Sequence, residues 1–139
     1  MSRIKEIVLV LWQLPQFILG IILYKYYESK DKILEVFDYK GCRVVKMKST
    51  LISGASLGPI ILLNINTSDE VIKHEYGHYI QSLIFGPLYL LLIGIPSAIF
   101  NNLWDRLFHK KWSYKDRIKW YYNRYPEKWA DKLGGVRRG

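Results

Sequence analysis

Apolar residues are concentrated in two long blocks, at residues 7–24 (IVLVLWQLPQFILGIILY) and 83–100 (LIFGPLYLLLIGIPSAIF), rather than spaced like one face of a buried helix. The first block has about 18 residues, the short end of what spans a bilayer core, and it predicts an N-terminal membrane helix. Gln13, Pro15 and Gln16 interrupt it. Either the helix is kinked and its glutamines pack on the second block, or the glutamines line a polar path or contact a substrate.

The second block carries its own helix breakers, with Gly86 and Pro87 near its start and Gly94 and Pro96 inside it. The pieces between these breakers are too short to span a membrane. Residues 86–104 are therefore predicted to form a re-entrant or monotopic hairpin, which enters and leaves the membrane on the same side.

Short apolar runs alternate with turn signals over residues 33–66, where ILEVF, CRVVKM, TLIS and IILLN are separated by DYKG and GASLGP. The simplest arrangement is a small β-meander. The last run has two interpretations, a buried core strand or an edge strand that holds an extended peptide by β-augmentation. In the second interpretation, the substrate edge strand consists of Ile60, Ile61, Leu62 and Leu63.

A helix is predicted over residues 67–85. Thr67 and Glu70 have the spacing of a capping box, and Gly86 with Pro87 should end the helix. Gly77 lies inside this helix, where glycine costs about 1 kcal/mol relative to alanine. We therefore expect that another part of the molecule approaches the backbone at Gly77.

The same helix carries the sequence HEYGH, in which His74 and His78 are one turn apart and face the same way. Two imidazoles at this spacing can bind one tetrahedral zinc ion. Glu75 lies beside them, where a carboxylate can take a proton from the metal-bound water. The HExxH pattern thus predicts the site of a zinc metallopeptidase.

A catalytic zinc needs a third protein ligand. The segment YPEKWADKLGG predicts a short helix with Glu127 and Asp131 on one face. Glu127 could bind zinc while Asp131 accepts the free N–H of a liganding histidine. The alternative is a solvated helix face on which Glu127 pairs with a lysine. Other candidates after His78 are His109, Asp105 and Asp116.

HEYGH at 74–78 followed by EKWAD at 127–131 resembles the paired HExxH and ExxxD motifs of the gluzincin metallopeptidases, the thermolysin type. The resemblance covers two helices and, loosely, the strands, although this chain is much shorter and a long apolar insertion separates the motifs. It implies His74, His78 and Glu127 as zinc ligands, Glu75 as general base, and Asp131 as the residue that orients a histidine. It also implies a second transition-state donor, with Tyr114, Tyr121, Tyr122, Tyr125 and His109 as candidates.

Basic residues dominate the charge, with 21 Lys and Arg against 12 Asp and Glu and a formal net charge of +9. From residue 104 onward they alternate with Trp and Tyr, which predicts contact with a lipid bilayer that has anionic headgroups. Single-stranded nucleic acid is the less favoured partner, because no recognition fold accompanies this composition. Most basic residues follow the first block, which by the positive-inside rule places the site at the cytoplasmic face. Cys42 is the single cysteine and reads as a small apolar residue of a strand.

Taken together, these patterns predict an α+β membrane protein with one membrane-associated domain, residues 1–139, in which basic aromatic helices over 105–139 carry the third ligand. The predicted function is that of a zinc-dependent membrane metalloendopeptidase with one Zn²⁺ per chain, which hydrolyses a peptide or a membrane protein near the membrane surface. The predicted location is the bacterial inner membrane. The alternative is a non-enzymatic membrane protein, an adaptor or immunity-type factor, with a structural zinc or none.

Overall fold

The computed structural model of the protein describes residues 2–49 and 53–138. This part of the chain has an α+β fold in which a four-stranded sheet carries helices on both faces. The strands are β1 (Ile33–Tyr39), β2 (Cys42–Met47), β3 (Gly54–Leu57) and β4 (Ile60–Asn64). The α-helices are α1 (Arg3–Trp12), α2 (Leu14–Ser29), α3 (Asp69–Phe85), α4 (Trp104–Phe108), α5 (Tyr114–Tyr122) and α6 (Glu127–Gly134).

The sheet is mixed, with strand order β1-β2-β4-β3, so the predicted meander is wrong. Strand β4 runs parallel to β2 and antiparallel to β3, which makes it an internal strand. Its apolar run is continuous because both faces of an internal strand are covered. The assignment of Ile60, Ile61, Leu62 and Leu63 as a substrate edge strand is therefore wrong, and the edge strands of the described sheet are β1 and β3. Most of the predicted TLIS strand, residues 50–52, lies outside the described residues.

Side chains alternate between the two faces of the sheet and form two apolar clusters. One face packs on α2, where Val45, Met47 and Leu62 meet Tyr27. The opposite face packs on α3. The apolar cluster between this face and α3 consists of Cys42, Val44, Ile61, Leu63, Ile72 and Tyr79. Cys42 is fully buried among them, in agreement with its interpretation as a small apolar residue. The sheet thus holds α3, the HEYGH helix, on one of its faces.

The N-terminal apolar block forms two helices, and the predicted membrane helix over residues 7–24 is wrong. Helices α1 and α2 meet at Gln13 with a bend of 94°. Pro15 lies in the first turn of α2, where its missing N–H costs nothing, so it begins a new helix. Among the described helices, none has by itself the length and apolarity needed to cross a membrane, and only this bent pair passes that test jointly.

Both glutamines of this block are fully buried and fasten α2 to the end of α3. The Gln16 side-chain amide donates hydrogen bonds to the Ser82 hydroxyl at 2.8 Å and to the Gly86 carbonyl at 2.9 Å. The Ser82 hydroxyl in turn donates to Gln13 Oε1 at 2.5 Å. These contacts favour the packing interpretation of the glutamines over a role in binding substrate.

The predicted re-entrant hairpin is also wrong, because residues 86–108, here called the connecting segment, are helical throughout. A 3-10 turn at Gly86–Leu88 leads into π-helical turns at Leu90–Gly94 and Pro96–Leu103 and then into α4. Pro96 has no N–H to donate to the Leu92 carbonyl, four residues earlier. That carbonyl accepts the Tyr125 hydroxyl instead, at 2.6 Å. The chain therefore widens into π turns at the proline rather than reversing its direction.

Helix α3 begins two residues later than predicted, and the proposed capping box is not formed. Ser68 is the N-cap residue, and Asp69 and Glu70 occupy the first turn. The Thr67 hydroxyl donates to the Asn64 carbonyl at 2.8 Å and is engaged there. The end of the helix at Phe85, before Gly86, agrees with the prediction.

Candidate metal centre

Helices α3 and α6 are packed so closely that their backbones touch. A Cβ atom added at Gly77 would lie 1.8 Å from the Ala130 carbonyl oxygen, and one added at Gly134 would lie 1.9 Å from that of Lys73. The expectation that another element approaches the backbone at Gly77 is confirmed. Glycine is needed at both positions because any side chain would separate the helices. Their contact brings Glu127 and Asp131 of α6 to His74 and His78 of α3.

His74, His78 and Glu127 form a buried group that could hold a metal ion, with one ligand atom from each lying within 4.8 Å of the others. Glu127 Oε1 lies 3.1 Å from His78 Nε2 and 4.0 Å from His74 Nε2. Ligands bonded to one tetrahedral zinc lie about 3.3 Å from each other, close to these separations. His74 Nε2 is buried and has no hydrogen-bond partner among the described residues. An unpartnered buried nitrogen is costly unless it binds something. Two imidazole nitrogens and one carboxylate oxygen are ligands that zinc accepts.

Both histidines are oriented by acceptors on the far side of the ring. His74 Nδ1 lies 2.7 Å from Asp131 Oδ1, and His78 Nδ1 lies 2.7 Å from Gln81 Oε1. Because each partner oxygen accepts a hydrogen bond, each Nδ1 donates to it, and Nε2 is the ring nitrogen that faces the ligand group. Sequence reasoning named Asp131 for such a role but missed Gln81, although its position three residues after His78 on one helix was a usable signal.

Glu127 is fully buried and is held by the connecting segment. Its Oε1 accepts the Ser97 hydroxyl at 2.6 Å, and its Oε2 accepts the Asn101 side-chain amide. Burial by itself would raise the pKa of Glu127, but the hydrogen bonds from His78 and Ser97 outweigh it and lower the pKa. The carboxylate therefore stays ionised, as a metal ligand must. Sequence reasoning missed Ser97 and Asn101 because they lie within residues 86–104, which were interpreted as a re-entrant membrane segment.

Asp131 is clamped from its other side by Arg138. Arg138 donates to both carboxylate oxygens, with Nε 2.5 Å from Oδ2 and Nη2 3.2 Å from Oδ1. The same guanidinium lies 3.4 Å from the centre of the Tyr122 ring. Burial would raise the pKa of Asp131, but the hydrogen bonds from His74 and Arg138 lower it. Nothing in the sequence pattern singled out Arg138, since its partner is seven residues away and not on the same helix turn.

Glu75 lies beside the ligand group without belonging to it. Its side chain is buried, and its Oε2 has no hydrogen-bond partner in the described part of the chain. The other oxygen rests against β3, where a Cβ added at Gly54 would be 3.0 Å from Oε1. Burial raises the pKa of Glu75, against the opposing effect of His78 and His74. A raised pKa suits a carboxylate that takes and returns a proton.

Two of the aromatic candidates lie at this site. The Tyr122 ring packs edge-on against His74, with 4.9 Å between ring centres. The Tyr121 ring lies 6.4 Å from that of His74, and its hydroxyl accepts the Asn102 amide at 3.1 Å. Tyr121 lines a cavity that Glu75 and His74 also line. Burial keeps the pKa of Tyr121 well above its ordinary value, so the hydroxyl stays protonated.

The remaining aromatic candidates are engaged elsewhere. The Tyr125 hydroxyl donates to the Leu92 carbonyl. His109 Nδ1 lies 2.9 Å from Asp105, and its ring stacks on Trp112 with 3.7 Å between centres. Tyr114 lines the cavity beside Glu75 but is 80% exposed. Tyr121 and Tyr122 are thus the candidates that lie at the ligand group, and the Tyr121 hydroxyl is bonded to Asn102, which lines the same cavity.

No family model, curated protein or solved structure matches this chain. The resemblance to gluzincins therefore rests on HEYGH and EKWAD alone. These two motifs meet in one buried group of two histidines and two carboxylates, with Glu75 beside them.

Proposed function

We propose that this protein is a zinc-dependent peptide hydrolase of the gluzincin type. His74, His78 and Glu127 would hold the zinc ion, which supplies a water of lowered pKa and polarises a carbonyl oxygen. The observation that carries the proposal is Oε2 of Glu75, a buried carboxylate oxygen that has no hydrogen-bond partner among the described residues and lies beside three potential ligands. A buried carboxylate oxygen in this state is costly, and it fits a group whose partner arrives with the reaction.

Each residue around the ligand group has its own role in the proposed hydrolysis. Glu75 accepts the proton of the attacking water and delivers it to the leaving amine, which is the task of a general base that later acts as an acid. The Tyr121 hydroxyl donates a hydrogen bond to the oxygen that becomes negative during attack. Asp131 and Gln81 keep the two imidazoles in the tautomer that presents Nε2.

A catalytic site is favoured over a structural one by the number of ligands and by access. Structural zinc sites are closed by four protein ligands, whereas catalytic sites have three and an open position. Within residues 2–49 and 53–138, the group has three members. Cavities of about 450 and 440 Å³ reach Glu75 next to this group. The site is thus accessible to a substrate despite its buried ligands.

Metal content tests the ligand group. Zinc per chain would be measured by mass spectrometry in the wild type and in the variants H78A and E127Q. H109N is the matched control, because His109 is the remaining histidine of the chain and lies outside the group. We expect about one zinc per chain in the wild type and in H109N, and loss of zinc in the other two. Zinc retained by both H78A and E127Q would refute the proposed ligands.

Hydrolysis tests the role of Glu75. E75Q should keep its zinc, and its rate of hydrolysis of a mixed peptide library should fall by about 10²- to 10⁴-fold, the usual contribution of a general base to the rate. E70Q, on the exposed first turn of the same helix, should keep full activity. A zinc-loaded wild type that cleaves no peptide would favour the structural alternative, and undiminished turnover in E75Q would exclude Glu75 as the base.

A further inference from the structure

Two cavities adjoin each other along helix α5. Their volumes are about 910 and 900 Å³, and Lys119 and Asn123 line both of them. The first cavity lies beside the turn that precedes α5, and the second lies between α5 and α6. Because the two cavities share part of α5, they form one concave surface, here called the basic groove.

Positive charge dominates the lining of the basic groove. Five lysines line it: Lys111, Lys115, Lys119, Lys128 and Lys132. Two arginines and two aspartates complete its charged lining among the described residues. One arginine and one aspartate, Arg138 and Asp131, neutralise each other through an ion pair of 2.5 Å. A concave surface with charges of mainly one sign focuses its electric field on what enters it, so this groove attracts anions.

The five lysines of the groove lack partners of opposite charge. All five are exposed, and none forms an ion pair within residues 2–49 and 53–138. The lysines that do form ion pairs are Lys25 and Lys73, each with a glutamate three residues away on its own helix. Like charges on one surface repel each other, and a ligand with several negative charges relieves this repulsion. The groove is therefore suited to a ligand with a series of negative groups.

Aromatic rings of the groove are already in contact with other groups. Trp120 and Tyr122 each lie beneath a guanidinium, with 4.3 and 3.4 Å between the ring centre and the guanidinium carbon. Trp112 stacks on His109 with 3.7 Å between ring centres. Single-stranded nucleic acid binds by stacking its bases on free aromatic faces as well as by phosphate contacts. The groove offers charge rather than stacking, which favours the carboxylates of a peptide over a nucleic acid.

The basic groove adjoins the cavity at the proposed metal centre. Ile118 and Tyr122 line both the groove and the cavity of about 450 Å³ that His74 and Glu75 also line. A polypeptide that occupies this cavity can therefore continue across α5 into the groove. Helix α5 has 9 residues and is about 13 Å long, which is the length of about four residues of extended chain. The groove is thus long enough for a short stretch of the same polypeptide.

We propose that the basic groove binds an acidic stretch of the polypeptide substrate, a few residues away from the cleaved bond. This inference rests on the proposed hydrolase function. About four to six residues rich in Glu or Asp lie along α5, and their carboxylates pair with the five lysines. Lysine is a mobile point charge that pairs without a fixed geometry, so the acidic character of the stretch matters more than its exact sequence. Because these pairs are exposed, salt weakens them.

Binding of a labelled hexaglutamate peptide tests the groove independently of hydrolysis. Its affinity would be measured by fluorescence anisotropy at low salt, with hexaglutamine, decathymidylate and phosphatidylglycerol vesicles as the other probes. K128E/K132E reverses two charges of the groove. K5E/K30E is the matched control, because Lys5 and Lys30 are exposed and lie outside the lining of the groove. We expect the wild type and K5E/K30E to bind hexaglutamate alike, and K128E/K132E to bind it about tenfold more weakly.

Two results of this binding experiment would overturn the inference. One is equal affinity of the two variants for hexaglutamate, or binding of hexaglutamine as tight as that of hexaglutamate. The other is tighter binding of decathymidylate or of the vesicles that K128E/K132E weakens, which would assign the groove to that anion instead.

Hydrolysis then shows whether the acidic stretch belongs to the substrate. The peptide that the wild type cleaves fastest in the mixed library would be synthesised with four glutamates or four glutamines added at either end. We expect one of the glutamate extensions to lower KM about tenfold at unchanged kcat, because contacts remote from the cleaved bond bind substrate and transition state equally. K128E/K132E and about 0.5 M sodium chloride should each remove this difference, since salt screens exposed charges.

The outcomes separate this inference from the proposed hydrolase function. Equal KM values for the glutamate and glutamine extensions would overturn the inference and leave the hydrolase function intact. If a zinc-loaded wild type cleaves no peptide but binds hexaglutamate in the groove, the hydrolase function fails and the groove remains a site for acidic peptides.

Discussion

The α carbon of Gly77 faces the Ala130 carbonyl so closely that a Cβ atom would lie 1.8 Å from the oxygen. Helix propensity alone predicts that G77A stabilises the protein by about 1 kcal/mol. The contact predicts the opposite sign, because overpacking typically costs about 1 to 3 kcal/mol and a backbone atom cannot move aside as a side chain can. We expect G77A to lower the free energy of unfolding in urea and to lose zinc, since separating α3 from α6 moves Glu127 away from His78.

G94A is the control for this substitution. A Cβ atom at Gly94 would first meet a flexible atom of the Leu90 side chain, at 3.3 Å, rather than a backbone atom. Its effect on the free energy of unfolding should be within about 1 kcal/mol. A stabilised G77A with normal zinc content would contradict the close approach of the two helices.

The second prediction concerns Asp131, which accepts from His74 Nδ1 at 2.7 Å. Removing the acceptor in D131A frees the ring to rotate and to change tautomer, so zinc affinity should fall about 10- to 100-fold. Competition with a chromogenic chelator would measure the affinity. D116A, on the exposed first turn of α5, should bind zinc like the wild type. Equal affinities in D131A and D116A would show that Asp131 does not orient His74.

Arg138 provides a third test, because it contacts Asp131, which in turn accepts a hydrogen bond from the proposed ligand His74. R138A should weaken zinc binding about three- to tenfold, which corresponds to the loss of one hydrogen-bonded charge contact at a partly exposed site. The neighbouring Arg137 is exposed and offers a control of the same charge, so R137A should bind zinc normally. R138K keeps the charge but not the two-pronged contact with Asp131, and we expect it to resemble R138A. Full affinity in R138A would remove Arg138 from this role.

The fourth prediction distinguishes the tyrosines and rests on the hydrolase function. Y121F should lower kcat about 10- to 1000-fold while zinc content is unchanged, because it removes one donor to the developing negative charge. Y125F is the matched control, since the Tyr125 hydroxyl donates to the Leu92 carbonyl instead. If Y121F keeps its kcat, another group stabilises the transition state.

The fifth prediction concerns acid stability away from the proposed metal site. Burial would raise the pKa of Asp105, but hydrogen bonds from Arg117 and His109 lower it below its ordinary value. A group whose pKa is lowered by folding stabilises the protein above its unfolded pKa of about 3.9, and this contribution is lost as the pH falls through the lower folded value. The free energy of unfolding should therefore decrease below about pH 4.

D105N lacks this contribution at every pH. It should be about 1 kcal/mol less stable than the wild type at pH 7, and the difference should shrink toward pH 3, as measured by urea unfolding across that range. D116N serves as the control, because Asp116 is an exposed residue of α5. A difference between D105N and the wild type that does not vary with pH would show that this carboxylate does not titrate in the expected way.

Local chemistry could be predicted where it depends on residues close in sequence. His74 and His78 share a helix face whatever the rest of the chain does, and Gly86 ends that helix because it adopts a conformation with a φ of 54°. The cost of glycine at position 77 correctly indicated a close neighbour. The short helix that carries Glu127 and Asp131 was also predicted from residues close in sequence, and Gly135 ends it in the left-handed conformation, with a φ of 80°.

Apolar blocks were misread because composition does not reveal what covers a side chain. Residues 7–24 have the hydropathy of a membrane segment, yet Pro15 divides them and Gln13 and Gln16 find partners on α3. In the connecting segment, Pro96 was taken as a breaker, but the Tyr125 hydroxyl satisfies the Leu92 carbonyl that the proline leaves free. A partner 33 residues away is invisible to a local pattern.

The sequence by itself determined the HEYGH helix, its two histidines on one face, and the second helix with Glu127 and Asp131, since spacing and helix geometry suffice for these. Tertiary structure alone decided that the two helices touch at Gly77, that β4 is internal while β3 lies at an edge of the sheet, and which cavities reach Glu75. It also placed Ser97 and Asn101 within hydrogen-bonding distance of the Glu127 carboxylate, and Arg138 within that of Asp131. The physical reason is that such contacts depend on how distant elements pack, and packing is set by the whole chain at once.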